Sequence, residues 1–273
     1  MLTSLKYEFI PAKPAPPPLK TFALKESSRK GFLKPMLVDA HCHAHALQEA
    51  ELKEHEANMT IISVSEDLES SLKSLDLGER FSNILPFVGV HPWSIGEVAR
   101  SEVEEVMKLI EKRDDVRGIG EVGLDKKIRR TYAAQREVFE RFCKLASEYD
   151  LPINVHAREA WREALELLRR LDIESAIIHW YSGPLELLEE IEASGYMITI
   201  NPAAKIQPKH RSVLENAPLR IILTESDGPY EYRGMKLKPS LIPGLVELIA
   251  EVKGLAREEV EEAMELNLRR LLG

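Results

Sequence analysis

From Met36 onward, short apolar runs rich in Val, Ile and Leu alternate with charged stretches of helical spacing. The runs are 37-LVDA, 60-TIISV, 85-LPFVGV, 116-VRGIG, 152-PINV, 176-AIIH, 196-YMITI and 220-RIILT, eight in all. Their near-continuous apolar character predicts strands covered on both faces, as in a parallel sheet. Between them lie 102-EVEEVMKLIEK, 135-QREVFERFCKLASEY, 158-REAWREALELLRRL and 185-LELLEEIEAS, with 240-SLIPGLVELIAEVKG and 257-REEVEEAMELNLRRLL closing the chain. These carry the spacing of amphipathic helices. Strands alternating with helices predict parallel βαβ units. Eight such units in about 240 residues are the count of an α/β (β/α)₈ TIM barrel. A doubly wound open sheet is the alternative, but no GxGxxG opens a helix to support it.

Residues 1–35 break this pattern. Pro11, Pro14, Pro16, Pro17 and Pro18 cluster there, and Pro35 closes the segment. Proline fixes φ and removes a donor, so a Pro-rich N-terminal extension is expected, with the barrel domain spanning 36–273. It is either a flexible tail, residues upstream of a start at Met36, or an arm docked through Tyr7, Phe9, Ile10 and Phe22.

With 44% hydrophobic and 30% charged residues, the chain has the material for a large core. No apolar stretch approaches the roughly 18 residues of a membrane span, and no secretory signal precedes the first run. The expected location is the cytoplasm, where Cys42 and Cys143 would stay reduced. The net charge of −8 excludes a global positive field as the means of drawing in nucleic acid. A local basic patch or a bound cation would have to supply the attraction.

In a parallel barrel the functional side chains gather at the C-terminal ends of the strands. Those ends read Asp39-Ala40-His41-Cys42-His43, His91-Pro92-Trp93, Glu121 to Asp125, His156-Ala157-Arg158, His179-Trp180 and Thr224-Glu225-Ser226-Asp227. Alternation along a strand turns His41 and His43 to one side and Cys42 to the other. His45 falls beyond the strand, where loop geometry is expected to turn it away. Four histidines and two carboxylates (His41, His43, His156, His179, Glu121, Asp227) would converge on one barrel mouth. Ionisable groups leave water together only when paired or bound to metal, so the set predicts a metal site.

The order of motifs resembles the TatD family of metal-dependent hydrolases, within the amidohydrolase-like barrels. The matching segments are DAHCH at 39–43, GVHPW at 89–93, GEVGLD at 120–125, the helix start from Gln135 to Phe139, LPINVHAR at 151–158, HWYSG at 179–183, TESDGP at 224–229 and NLRRLLG at 267–273. They run in order through essentially all of 36–273. Four departures stand out. Trp93 replaces a frequent second His, Trp180-Tyr181 replace Cys-Phe, Gly228 replaces Ser or Ala, and KKIRR replaces a more aromatic stretch after Asp125. None removes an expected ligand; they bear on substrate preference.

The resemblance implies two divalent ions. His41 and His43 would hold one with Asp227, His156 and His179 the other, and Glu121 would bridge them. Asp227 would orient the attacking water and take its proton. Zn, Mn, Mg or Co all suit mixed N/O ligands, although four imidazoles argue against a pure Mg site. Among substrate-binding candidates, His91 and Arg158 would meet a phosphate. Lys126 and Lys127, with Arg129 and Arg130, form the densest basic cluster, beside the site. Glu225 and Asp125 would orient ligands. Trp93, Trp180 and Tyr181 would either stack on unpaired bases or pack the barrel rim.

The expected function is a metal-dependent deoxyribonuclease or phosphodiesterase acting on DNA. The alternative is a hydrolase of a small ester, amide or aminoacyl bond, since the same activated water attacks a carbonyl. A non-catalytic protein with a structural metal is the reading from a different class. The intact ligand set and Asp227 speak against it. Glu121 in the bridging position speaks against a related barrel bridged by a carbamylated lysine.

Overall fold

A computed structural model describes residues 36–273; the expectations for the extension, including docking through Tyr7, Phe9, Ile10 and Phe22, lie outside the described residues. Eight parallel strands form one sheet in sequence order: β1 (Leu37–Cys42), β2 (Met59–Ser63), β3 (Ile84–Val88), β4 (Gly118–Asp125), β5 (Ile153–Arg158), β6 (Ala176–Ile178), β7 (Met197–Ile200) and β8 (Ile222–Thr224). Each strand pairs with the next, and helices fill the connections, as the alternation predicts.

The seam between the last and first strands is closed by individual bonds. Thr224 donates its hydroxyl to the Val38 carbonyl. Asp39 Oδ1 accepts from the Ser226 N–H at 2.8 Å, and the Asp227 N–H donates to the His41 carbonyl at 2.9 Å. The contacts run across the chain's two extremes of sequence and bring the segment after β8 beside the His-x-His segment of β1.

The helices are α1 (Glu49–His55), α2 (Leu68–Arg80), α3 (Arg100–Lys112), α4 (Tyr132–Tyr149), α5 (Trp161–Arg170), α6 (Leu188–Ala193), α7 (Pro208–Asn216), α8 (Ile242–Lys253) and α9 (Arg257–Leu272). Their apolar faces cover the sheet: Val103, Val106, Met107 and Ile110 of α3 are buried, as are Ala164, Leu165, Leu167 and Leu168 of α5. Asp67 caps α2 by accepting from the Ser70 N–H at 2.8 Å, which satisfies one otherwise orphaned donor. Arg158 ends β5 rather than opening the helix that follows, which begins at Trp161.

Two local features matter for the site. A Cβ at Gly123 would come within 2.0 Å of the His156 carbonyl oxygen, so only glycine lets β4 lie this close to β5. After β8, the chain turns into a short antiparallel hairpin, β9 (Tyr230–Tyr232) and β10 (Met235–Leu237). Arg233 and Gly234 lie between these strands, both at positive φ, as a tight two-residue hairpin turn requires. The sequence reading did not anticipate this hairpin.

Candidate metal centre

His41, His43, Glu121, His156, His179 and Asp227 come together at the C-terminal mouth of the barrel. Glu121 lies at their middle, and its two oxygens face different partners. Oε1 is 2.8 Å from His156 Nδ1 and 2.9 Å from His179 Nε2. Oε2 is 3.4 Å from His41 Nε2 and 3.6 Å from His43 Nε2. Asp227 Oδ1 is 3.5 Å from both of those nitrogens, completing a triad with His41 and His43. Asp227 sits at φ +53, a left-handed conformation rare for a non-glycine residue, held by its bond to the His41 carbonyl.

The donor set fits a divalent cation. Buried His41 Nε2 has no hydrogen-bond partner yet faces two carboxylate oxygens. His41 Nδ1 is engaged with Asn154 Oδ1 at 2.9 Å, and the Asn154 amide nitrogen donates to the Ala40 carbonyl. That leaves Asn154 Oδ1 as the acceptor, so Nδ1 carries the proton and Nε2 a lone pair. A lone pair opposed to two carboxylates is repulsive until a cation lies between them.

Electrostatics in the absence of that cation tell the same story. Burial alone would raise the Glu121 carboxyl, but His91, His179 and His41 outweigh it and hold it well below the usual range. Burial would lower His43, but its contact with Asp227 and the charge of Glu121 push it up to about 9. His156 and His179 are likewise raised against burial, by Asp125 and Glu121 in the first case and by Glu121 and Glu225 in the second. In each case carboxylates and imidazoles packed together out of water set the direction against burial.

A second layer fixes the ligands. Asp125 Oδ2 lies 3.3 Å from His156 Nε2 and accepts from Trp93 Nε1 at 2.6 Å. These two bonds outweigh burial and bring Asp125 down to about 2. Glu225 Oε2 lies 3.6 Å from His179 Nδ1, and Glu225 is itself held by Thr199 and Asn201. Asp125 thus bonds His156, while Glu225 stands beside His179 Nδ1 beyond hydrogen-bond distance.

His91 sits deeper than a rim residue. Its Nδ1 accepts from the Trp93 backbone N–H at 3.1 Å, so Nε2 carries the proton, 3.1 Å from Glu121 Oε1. Arg158 is exposed on the wall of an open cavity whose floor is the histidine cluster. Lys126 and Lys127 are not on that wall. Lys126 pairs with Glu163 at 2.5 Å and Lys127 with Glu159 at 2.6 Å, although the Lys126 N–H bonds the Arg158 carbonyl and keeps both lysines beside the rim.

His45 donates from Nδ1 to the Val64 carbonyl at 3.2 Å and turns Nε2 toward Glu66 at 3.7 Å, outside the main cluster. Cys42 is buried with its thiol toward the Gly228 carbonyl, a packing position. Tyr181 is fully buried and donates to the Pro184 carbonyl, so of the three aromatics singled out from the sequence it packs the interior. Trp93 and Trp180 do line the cavity, as do Trp161, Tyr230 and Tyr232, which the sequence reading had not singled out.

The sequence model of the TatD related DNase family matches residues 38–273. The chain belongs to that family. It is 32% identical over 240 residues to an uncharacterized metal-dependent hydrolase, MJ1582, of Methanocaldococcus jannaschii, covering 84% of this chain and 94% of the relative. It is 31% identical over 257 residues to the human deoxyribonuclease TATDN3, covering 86% and 94%. Among solved structures, the TatD homologue YjjV of Escherichia coli superposes with a TM-score of 0.79 at 24% identity, covering 88% of this chain and 98% of that one. That likeness supports the barrel fold of this TatD family member.

Proposed function

We propose that the chain is a divalent-metal-dependent phosphodiesterase whose substrate is DNA, built on residues 36–273 with residues 1–35 as an extension. The observation that carries this reading is the division of Glu121, one oxygen toward His156 and His179, the other toward His41 and His43. Two ions of Zn, Mn, Mg or Co would be held so, His41, His43 and Asp227 on one, His156 and His179 on the other, with Glu121 shared. Bound there, they would supply Lewis acidity toward a phosphate and toward an attacking water.

The side chains then divide the remaining work. Asp227 orients the water and accepts its proton as the water oxygen bonds to phosphorus; the ester P–O bond breaks, and the leaving oxygen takes up a proton from solvent and departs as an alcohol. His91 offers its Nε2–H from beside Glu121 to a phosphate oxygen. Arg158 meets the phosphate from the cavity wall, where its planar fork can make two bonds. Lys126 and Lys127 contact phosphates farther along the strand, outside the cavity. Among the described residues no helix is long and apolar enough to cross a membrane. The two cysteines, both buried and unpaired, support a cytoplasmic location.

The test is metal content per chain together with cleavage of labelled single-stranded DNA under Mn, Mg, Zn or Co, for wild type and Asp227→Asn. Two bound ions with cleavage by wild type alone is the expected result. Metal without cleavage in either protein would remove DNA as substrate and leave the small ester, amide or aminoacyl bond as the next to assay.

A further inference from the structure

Only 6% of the chain is aromatic, and it has three tryptophans. All three, Trp93, Trp161 and Trp180, line the cavity above the histidine cluster, together with Tyr230 and Tyr232. These side chains are not sealed into the core: Trp93 is 42% and Tyr230 43% exposed, and Trp180 and Tyr232 are half-buried. Apolar rings left open to water around a catalytic cavity require an explanation that packing does not supply.

Trp180 is held at both its backbone and its ring. Its backbone lies at φ +39, a left-handed conformation costly for a bulky residue and characteristic of functional positions. Its N–H donates to Thr199 Oγ1 at 2.8 Å, Thr199 donates to Glu225 Oε2, and Glu225 faces His179 at 3.6 Å. Its indole Nε1 donates to Gln207 Oε1 at 2.7 Å, which sets the plane of the ring. The Trp180 backbone is thus linked through Thr199 to Glu225, which stands beside His179, and the indole is oriented by Gln207. Tyr232 and Tyr230 stand edge-on to it, with centroids 5.2 and 6.0 Å away and interplanar angles of 70° and 81°. All three rings line the cavity, so the indole is presented there within an aromatic frame. Tyr230 follows Asp227 by three residues, so the loop that presents the proposed proton acceptor also presents the frame.

We infer that Trp180, framed by Tyr230 and Tyr232, is a stacking subsite for the nucleobase next to the scissile phosphate. The inference rests on the proposed DNA substrate and deepens it: the enzyme grips an unstacked base as well as the backbone. Stacking is tolerant of base identity because every base offers a π face. It demands a base free of its duplex neighbours, so strand ends and single strands fit and the interior of a duplex does not.

The test compares thymidine 5′-monophosphate with 2-deoxyribose 5-phosphate, which lacks the base, binding to the metal-loaded full chain. Titration calorimetry gives affinities, and tryptophan fluorescence, with every tryptophan at the cavity, reports stacking directly. The base should tighten binding about 5–150-fold and quench the fluorescence. Tyr230→Ala, on an exposed side chain, and Trp180→Ala should narrow that ratio, while Trp180→Phe should restore much of it and the affinity for deoxyribose phosphate should hold in all three. Equal affinity for the two ligands in wild type, or equal loss of both in the variants, overturns the subsite. Base-dependent binding without cleavage of any oligonucleotide would keep the subsite and overturn the nuclease reading. Cleavage without base dependence would do the reverse.

Discussion

Asn154 Oδ1 accepts a hydrogen bond from the Nδ1–H of His41 at 2.9 Å, across 113 residues of sequence, and so decides which nitrogen of that histidine faces the site. Substituting Asn154→Leu would leave the Nδ1–H unsatisfied and free the ring to take the other tautomer. Orienting partners of this kind are worth about 10–100-fold in metal affinity. A competition titration against a chelator should show a loss in that range, with circular dichroism unchanged. An unaltered affinity would mean that the ring is held by other contacts.

Asp227 is placed to accept the proton of the attacking water, and Asp227→Asn removes that basicity with little change in shape. Turnover at saturating metal should fall roughly 10²–10⁴-fold, the usual worth of a positioned general base. Single-turnover cleavage of a labelled oligonucleotide measures it. A loss under tenfold would move the proton acceptor elsewhere.

Metal uptake should be strongly pH-dependent. Without metal, Asp227 and Glu121 hold the His43 proton up to about 9, and His156 and His179 are also raised. His43, so raised, still carries its proton at pH 7, so binding must expel it, and affinity must climb as pH rises from 6 to 8. Calorimetry in buffers of different ionisation enthalpy counts the protons released. Chelation should also lower the melting temperature, since at 100 times Kd a bound ion adds about 2.7 kcal/mol. A flat pH profile would contradict the assigned ligands.

Lys126→Ala with Lys127→Ala should change cleavage of a mononucleotide-sized diester by less than about fivefold, because exposed pairs of the kind they make are worth ~0.2–1 kcal/mol. The effect belongs to long strands, where two phosphate contacts should reduce the salt dependence of binding by about two in slope. Binding isotherms at several salt concentrations separate the two cases.

His210, away from the metal ligands, reports on acid stability. Burial lowers it to about 4; its Nδ1 bonds the Tyr181 carbonyl, and its Nε2 accepts from the Asn201 N–H. Between its unfolded value near 6.5 and about 4, the unfolded chain binds a proton that the native state refuses, so stability falls as pH falls through that window. The loss should reach roughly 3 kcal/mol at the lower end. Urea midpoints across pH 4–7, compared with His210→Gln, isolate it. Parallel profiles for the two proteins would assign acid unfolding to other groups.

The eight strands, and the convergence of six His, Glu and Asp side chains at one end of the barrel, were legible in the chain. Periodicity reports burial, and in a parallel barrel every strand delivers its C-terminal end to the same side, so His41, His43, Glu121, His156, His179 and Asp227 could be placed together before any coordinate was known. Direction within the site was not legible. The tautomer of His41 depends on Asn154, the division of Glu121 on four histidines from three other strands, and the depth of His91 on the Trp93 backbone. Lys126 and Lys127 read as a free basic cluster, yet glutamates at Glu163 and Glu159 pair with them. Tyr230 and Tyr232 meet Trp180 at the cavity, although about fifty residues of chain separate them from it. Local patterning encodes which face of an element is covered. Hydrogen bonds, tautomers and charge pairing act through space between residues far apart in the chain, and the folded barrel alone decides them.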